Sequence, residues 1–501
     1  MINYIKKLTI NLSGCIIMLA ACSSSGSEIE PVNPPVPEPT PSNNDVTLFV
    51  TTTSLSQDLT KTSVDFGKGA SLAPTRITLD PSTRYQEMDG FGAAITGSTC
   101  FNLMQMKPED RTKFLTETFS EKDGFGFSYI RISIGCSDFS LSEYTCCDEK
   151  GIDNFALQME ENDYIIPILK EILTINPTIK IMAAPWTPPR WMKVKDLASK
   201  QPFNSWTSGQ LNPDYYQDYA TYFVKWIQAF QAKDIKIYAI TPQNEPLNRG
   251  NSASLFMGWD EQRDFIKNAL GPKFEAAALQ TKIYSFDHNY NYDNMPQQQG
   301  YPTKIYQDAD AAKYISGAAF HNYGGNREEL NTVHRANPDK ELLFTETSIG
   351  TWNDGRNLQA RLLDDMKEVA LGTANNWCRG AIVWNLMLDS DLGPNREGGC
   401  QTCYGAVDID NTHYKTIRRN SHYYIIAHMS AVVKPGAVRI AASNLGDANV
   451  MYSAFANPDG SYALVLMNNN TQAKKITIDD GKNNFAYDVP AKSVVSYRWK
   501  K

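Results

Sequence analysis

The chain has 501 residues, with 48 Lys and Arg against 55 Asp and Glu, a formal net charge of -7 and 42% hydrophobic residues. An acidic balance without a basic patch excludes nucleic acid as the expected partner, and the apolar content describes a folded body rather than a disordered one. Aromatic residues make up 11% of the chain, which suits stacking on sugar rings, although large domains also use aromatics as core.

Taken in chain order, the first signal is an address. Lys6 and Lys7 precede an apolar segment from Leu8 to Ala21, too short for a permanent transmembrane helix and of the right length for a signal-peptide core. It closes on Leu19-Ala20-Ala21-Cys22, a lipobox-like signal that predicts cleavage before Cys22 and lipid attachment to its sulfur. An ordinary signal peptide with a chance cysteine is the alternative. Residues 1–21 are therefore expected to be a signal peptide. Residues 22–45, with proline recurring from Pro31 to Pro41, are expected to be a semi-rigid stalk. This layout implies export, a lipid anchor in the bacterial outer membrane as the membrane contact, and no obligate protein partner.

From Val46 to Leu79 the character is β-like, with Leu48 to Thr53 as a candidate strand, and residues 46–80 are expected to join a sheet built from the C-terminus. Eight β-like runs follow: Glu87 to Ala94, Ser128 to Ile134, Lys180 to Ala184, Ile235 to Thr241, Lys282 to Asp287, Ile315 to His321, Lys340 to Glu346 and Gly380 to Asn385. Amphipathic stretches such as Tyr164 to Leu173, Tyr215 to Gln231 and Leu358 to Leu371 lie between them. Eight strands alternating with helices predict an α/β fold, a (β/α)8 TIM barrel over residues 81–430. From about Val432 the helical signal stops. Short alternating segments, including Asn449 to Phe455, Tyr462 to Met467, Lys474 to Ile478 and Ser493 to Trp499, predict an attached antiparallel β-sandwich over 431–501.

Two glutamates stand at the C-terminal ends of predicted barrel strands, where such barrels display their chemistry. Glu245 lies in Thr241-Pro242-Gln243-Asn244-Glu245-Pro246, and Glu346 follows Leu342-Leu343-Phe344-Thr345. Hydrolysis of a glycosidic bond needs one carboxylic acid to protonate the leaving oxygen and one carboxylate to attack the anomeric carbon, and this pair suits that division. Arg131 is a cation on the otherwise apolar strand Tyr129 to Ile134, and a buried arginine requires carboxylate partners. Asn244 can bond a sugar 2-hydroxyl beside the catalytic acid. Asp138, Trp186, His321, Tyr323 and Trp384 all follow or end predicted strands on the side where loops build a pocket. Aromatic faces there would stack on a hexose while polar groups read its hydroxyls. This chemistry calls for no cofactor and no metal.

Of the nine cysteines, Cys15 would leave with the signal and Cys22 would be acylated. The remainder is odd in number, so at least one thiol is expected to be free or buried. Cys400-Gln401-Thr402-Cys403 has half the spacing of a zinc site, but no second pair matches it. A loop disulfide or two buried thiols is the expectation.

Several motifs occur together in one order: Gly90-Phe91-Gly92-Ala93-Ala94, Ser137-Asp138-Phe139-Ser140, Ala184-Pro185-Trp186-Thr187-Pro188, Asn244-Glu245-Pro246, Gln262 to Ile266, the Glu346 strand, Trp384-Asn385-Leu386 and Gly393-Pro394-Asn395. Over residues 80 to 501 the chain resembles glycoside hydrolase family 30, which holds lysosomal glucosylceramidase and the microbial endo-β-1,6-glucanases. The resemblance implies a barrel with an attached sandwich and a retaining mechanism, with Glu245 as acid/base and Glu346 as nucleophile. It further implies that Asp138, Trp186, Asn244 and Trp384 line the subsite of the cleaved sugar, with Arg131 and Tyr323 steadying the carboxylates. The loop Arg396 to Gly405 looks more like the β-1,6-glucanase branch, which favours a polysaccharide as substrate. An exo-acting β-glucosidase, glucosylceramidase or β-xylosidase is the competing enzymatic reading. A non-catalytic, glycan-binding surface lipoprotein is the competing reading of another class.

Overall fold

Short apolar runs, each followed by an amphipathic helix, can bury both faces only as a parallel sheet covered by helices, and closing that sheet removes its edges. The computed structural model describes residues 45–67, 72–290 and 295–500, and takes this form. The barrel strands are β1 (Gly90–Ala93), β2 (Tyr129–Ser133), β3 (Lys180–Ala184), β4 (Ala239–Ile240), β5 (Lys282–Asn289), β6 (Gly317–His321), β7 (Glu341–Glu346) and β8 (Cys378–Val383). Their hydrogen-bonded order runs β1-β8-β7-β6-β5-β4-β3-β2. The ring closes where Ala94 bridges Arg131 in parallel and Ser128 N–H donates to the Phe91 carbonyl at 2.9 Å. Gly92 permits that closure, since a Cβ there would stand 1.8 Å from the Tyr129 carbonyl oxygen.

One inward layer is filled by Tyr129, Met182, Ala239, Tyr284, Ala319, Leu343 and Ile382, contributed by seven of the eight strands. Arg131 stands two residues beyond Tyr129 on the same face, which carries it above that apolar plug toward the C-terminal mouth. β4 is shorter than its apolar run predicts. Only Ala239–Ile240 pair on both sides, although Tyr238 and Thr241 still donate to β3 carbonyls at 2.7 and 3.0 Å.

The second sheet has nine strands, in the order 60–64, 46–52, 493–500, 461–468, 450–456, 438–442, 76–87, 474–479 and 484–489. Both ends of the described chain contribute, with Val46–Thr52 paired antiparallel to Ser493–Lys500. The pairing is antiparallel except where Arg76–Glu87 runs parallel to Lys474–Asp479. That long strand reaches Glu87, so the residue read as opening the first barrel strand pairs instead with Val438 in this sheet. Leu48, Val50, Leu464, Leu466, Tyr497 and Trp499 are buried inside it. His428, on the helix Ser421–Ser430, joins sandwich to barrel through Ser496 Oγ at 2.8 Å and Thr51 Oγ1 at 2.9 Å.

The expected signal segment, stalk and Cys22 lie outside the described residues. Among those described, no helix is long and apolar enough to cross a membrane. Cys400 and Cys403 form a disulfide, and Cys100, Cys136, Cys146, Cys147 and Cys378 are free and buried.

Candidate active site

Backbone irregularities aim the functional side chains. In β5 the pairing with β6 skips a residue between Phe286 and His288, and Phe286 and Asp287 take positive φ of 72° and 70°. In β7 it skips one between Phe344 and Glu346. Bulges of this kind re-aim side chains, and here they turn Asp287 and Thr345 toward each other, with Thr345 Oγ1 donating to Asp287 Oδ1 at 2.6 Å. Glu245 follows β4 with φ of 45°, its N–H held by the Asp287 carbonyl at 2.9 Å. A non-glycine residue held left-handed carries strain that the surrounding bonds must offset.

The carboxylates of Glu245 and Glu346 and a ring nitrogen of His321 each offer an atom within 4.8 Å of the other two. Such a separation matches the ~5 Å of retaining glycosidases and falls well short of the ~6.5–9.5 Å that inverting enzymes keep for a water. Arg131 is fully buried and spans the cluster. Its Nη1 donates to Glu346 Oε2 at 2.5 Å, and its Nη2 to Asp287 Oδ2 at 2.8 Å and to Asn244 Oδ1 at 2.7 Å. Tyr323 OH donates to the other Glu346 oxygen at 3.0 Å. Glu245 Oε2 accepts from Asn248 at 2.7 Å, while His321 lies between Glu245 Oε1 at 3.3 Å and Asp287 Oδ1 at 3.0 Å. Arg131 already supplies the positive charge that a metal ion would bring to Glu346.

These contacts set the charges. Burial opposes ionisation of Asp287, but Arg131, His321 and Thr241 outweigh it and hold that carboxyl far below its usual range. Burial likewise opposes a charged His321, yet Glu346, Asp287 and Glu245 lift it to about 9. Burial also works against ionised Glu245, and His288, His321 and Asn248 overcome it, drawing the carboxyl down to about 2. Glu346 moves the other way: burial, helped by Glu245 and Asp287, raises it against the pull of His321 and Arg131. These contacts favour the charged form of His321, whose Nδ1 lies one hydrogen bond from Glu245.

Above the cluster opens a cavity of about 810 Å³, lined by Glu245, Glu346, Asp138, Tyr323, Trp384 and the Cys400–Cys403 loop among others. Asp138 faces it with Oδ1 free of hydrogen-bond partners among the described residues, and burial followed by the Glu346 charge pushes its carboxyl up to about 7. Such a group can accept from or donate to a sugar hydroxyl.

Not every expected ligand reaches the cavity. Trp186 backs Trp384 in a stack with centroids 5.0 Å apart, and Arg131 packs on both rings at 5.1 and 5.4 Å. Trp186 is thus a wall behind the sugar site rather than a surface of it. His321 is fully buried with both ring nitrogens engaged, so its expected part in holding a hydroxyl is corrected to positioning and charging Glu245. Asn244 gives its oxygen to Arg131. Sequence reasoning missed Asp287, the hub for Arg131, His321, Thr241 and Thr345. Its one signal was an acid closing the apolar run Ile283 to Phe286. Asn248 and the rim residue Trp352 carried no signal in spacing.

A parallel eight-stranded barrel whose mouth holds two buried glutamates at this separation, crowned by an aromatic and acidic cavity, defines a glycosidase. Residues 88–433 match the glycosyl hydrolase family 30 TIM-barrel domain and residues 436–497 the family 30 beta sandwich domain; the chain belongs to glycoside hydrolase family 30. It is similar to the solved structure of the endo-β1,6-glucanase BT3312, at 72% identity and TM-score 0.90, covering 91% of this chain and 99% of that one. The endo-1,6-β-D-glucanase of Neurospora crassa is 32% identical over 80% of this chain and 83% of its own length. The lysosomal acid glucosylceramidase of Mus musculus is 26% identical over 85% and 83%.

Proposed function

We propose that the chain is an endo-acting hydrolase of β-1,6-glucan, with Glu346 as nucleophile and Glu245 as acid/base. The observation that carries the reading is the retaining separation of the two carboxylates inside a cavity large enough for more than one sugar; the likeness to endo-1,6-glucanases supports the linkage. In the first step Glu346 Oε attacks the anomeric carbon, and Glu245 protonates the departing glycosidic oxygen. Glu245 then takes a proton from water, which attacks the same carbon and releases Glu346.

The proton must first cross from His321 Nδ1 to Glu245 Oε1. A bound sugar displaces water from the cavity and brings the glycosidic oxygen against Glu245, disfavouring its charged form and driving that transfer. Arg131 and Tyr323 keep the Glu346 oxygens oriented for attack, and Asp287 fixes both Arg131 and His321. Asn244, its oxygen held by Arg131, can donate from its amide nitrogen to the sugar 2-hydroxyl. Asp138 and Trp384 hold the remainder of the ring.

A panel of linkage-defined glucans tests the substrate. Pustulan should yield a ladder of gentio-oligosaccharides, while β-1,3- and β-1,4-glucans, xylan and glucosylceramide remain intact. Glucose alone from pustulan, or turnover of the lipid or xylan instead, would overturn the reading.

The Leu19-Ala20-Ala21-Cys22 motif and the proline-rich segment support a lipid-anchored, stalked enzyme of the outer membrane. Cys22→Ser should move the protein from the membrane fraction to the soluble exported fraction with its specific activity kept. An unchanged membrane fraction would contradict the anchor.

A further inference from the structure

Trp352 and Tyr323 are the large aromatics exposed among the described residues, at 53% and 43%, and both line the catalytic cavity. Tyr323 is accounted for by its bond to Glu346. Trp352 has no part in the chemistry, yet its setting is built. It lies on a turn, Thr351–Asn353, just after the two-residue strand Ile349–Gly350, which pairs antiparallel with Cys403–Tyr404. Thr351 N–H donates to the Thr402 carbonyl at 2.9 Å, and Gly350 N–H to Asn353 Oδ1 at 3.0 Å. Thr402 stands inside the loop closed by the Cys400–Cys403 disulfide, whose sulfur-bearing residues also line the cavity. At the foot of that loop Arg396 Nε donates to the Ser137 carbonyl at 2.9 Å, tying it to the segment that carries Asp138.

The indole lies directly on the Gly350 backbone, where a Cβ would fall 1.9 Å from Trp352 Cζ3. Gly350 has φ of -168°, extended backbone open to any residue. Glycine is needed there for the ring and for the Thr402 carbonyl oxygen, 2.4 Å from that Cβ, rather than for the chain conformation. The Cε3–Cζ3 side of the indole is thereby held against backbone, and the ring lines the cavity.

The sugar being cleaved is placed by Glu245, Glu346, Asp138 and Trp384, all buried. A half-exposed ring on the same cavity therefore meets a neighbouring unit. Resting on the reading of a β-1,6-glucan substrate, we propose that Trp352 is the platform for the glucosyl unit on the leaving-group side of the cleaved bond. A 1,6 link carries an extra rotatable CH2–O torsion, so its leaving unit is poorly oriented by the linkage itself. A rigid aromatic face that restricts it lowers the ordering cost of reaching the reactive geometry.

The test compares gentiotetraose, β-glucosyl fluoride (whose leaving group is one atom) and β-gentiobiosyl fluoride, which extends the sugar only on the opposite side. Trp352→Ala should lower kcat/KM on gentiotetraose by roughly tenfold or more, chiefly through KM. Losses on both fluorides should be at least fivefold smaller than that, and turnover of the fluorides also reports that the variant is folded. Trp352→Phe, which keeps an aromatic ring at the position, should recover most of the parent value. Equal losses on all three substrates would make Trp352 merely structural, and a matching loss on gentiobiosyl fluoride would put the platform on the wrong side; either overturns the proposal. A parent enzyme active on the fluorides but idle on gentiotetraose would bring down the substrate reading and the platform together. A parent active on gentiotetraose with undiminished Trp352→Ala brings down the platform alone.

Discussion

Glu346→Gln is expected to lower kcat on glucan by on the order of 10⁴-fold or more, as loss of a nucleophile does elsewhere, with KM little changed. The amide preserves the shape of the carboxylate and can still meet Tyr323 OH, so the sugar site should survive. What it removes is the attacking charge and the anionic partner of Arg131. That guanidinium keeps Asp287 as its second carboxylate at 2.8 Å, which limits the structural damage to a buried cation left half paired. Steady-state kinetics with a thermal-unfolding control check this. Residual activity above a hundredth of the parent would exclude Glu346 as the attacking group.

Glu245→Gln should show a loss that depends on the leaving group. With glucan, whose departing alkoxide must be protonated, kcat should fall by about 10³-fold, within the range for general acid catalysis. With β-glucosyl fluoride, which leaves without a proton, formation of the glycosyl-enzyme should persist, and azide should accelerate its breakdown to β-glucosyl azide. The pH profile follows from the same charges. Activity needs one proton in the His321–Glu245 pair, and His321 is raised to about 9, so that proton is present below this value and activity falls as pH rises through it. Glu346 must be ionised, and because its carboxyl is raised, activity falls on the acid side earlier than for an ordinary glutamate. The alkaline limb should vanish from fluoride turnover by Glu245→Gln. A limb that stays, with an equal loss on both substrates, would assign Glu245 another role.

Barrel and sandwich were legible because burial leaves its mark on composition: short apolar runs such as Leu342 to Phe344 and Tyr462 to Met467, bounded by polar and turn residues, have one comfortable environment, a buried strand. Glu245, Glu346 and Arg131 could be singled out because each is a charge set on or beside an apolar strand. Asp287 escaped because its function arises from a bulge, which the alternation of side chains does not announce. His321 was misassigned for a related reason. Its position at the end of β6 is visible in sequence, but whether its nitrogens face the cavity or two carboxylates depends on the strands either side. Trp186 shows the same limit among aromatics, since stacking behind Trp384 and lining the pocket look identical along the chain. The parallel pairing of Arg76–Glu87 with Lys474–Asp479 joins segments far apart in the chain, beyond the reach of local pattern.

The most direct test of the two-glutamate site is chemical capture of the sugar on the enzyme. Incubation with 2-deoxy-2-fluoro-β-glucosyl fluoride slows the second step, and peptide mass spectrometry should find one fluoroglucosyl group, on Glu346. A label on any other residue, or an unlabelled enzyme that releases the α-anomer as first product from its natural glucan, would contradict attack by Glu346 across the short gap to Glu245.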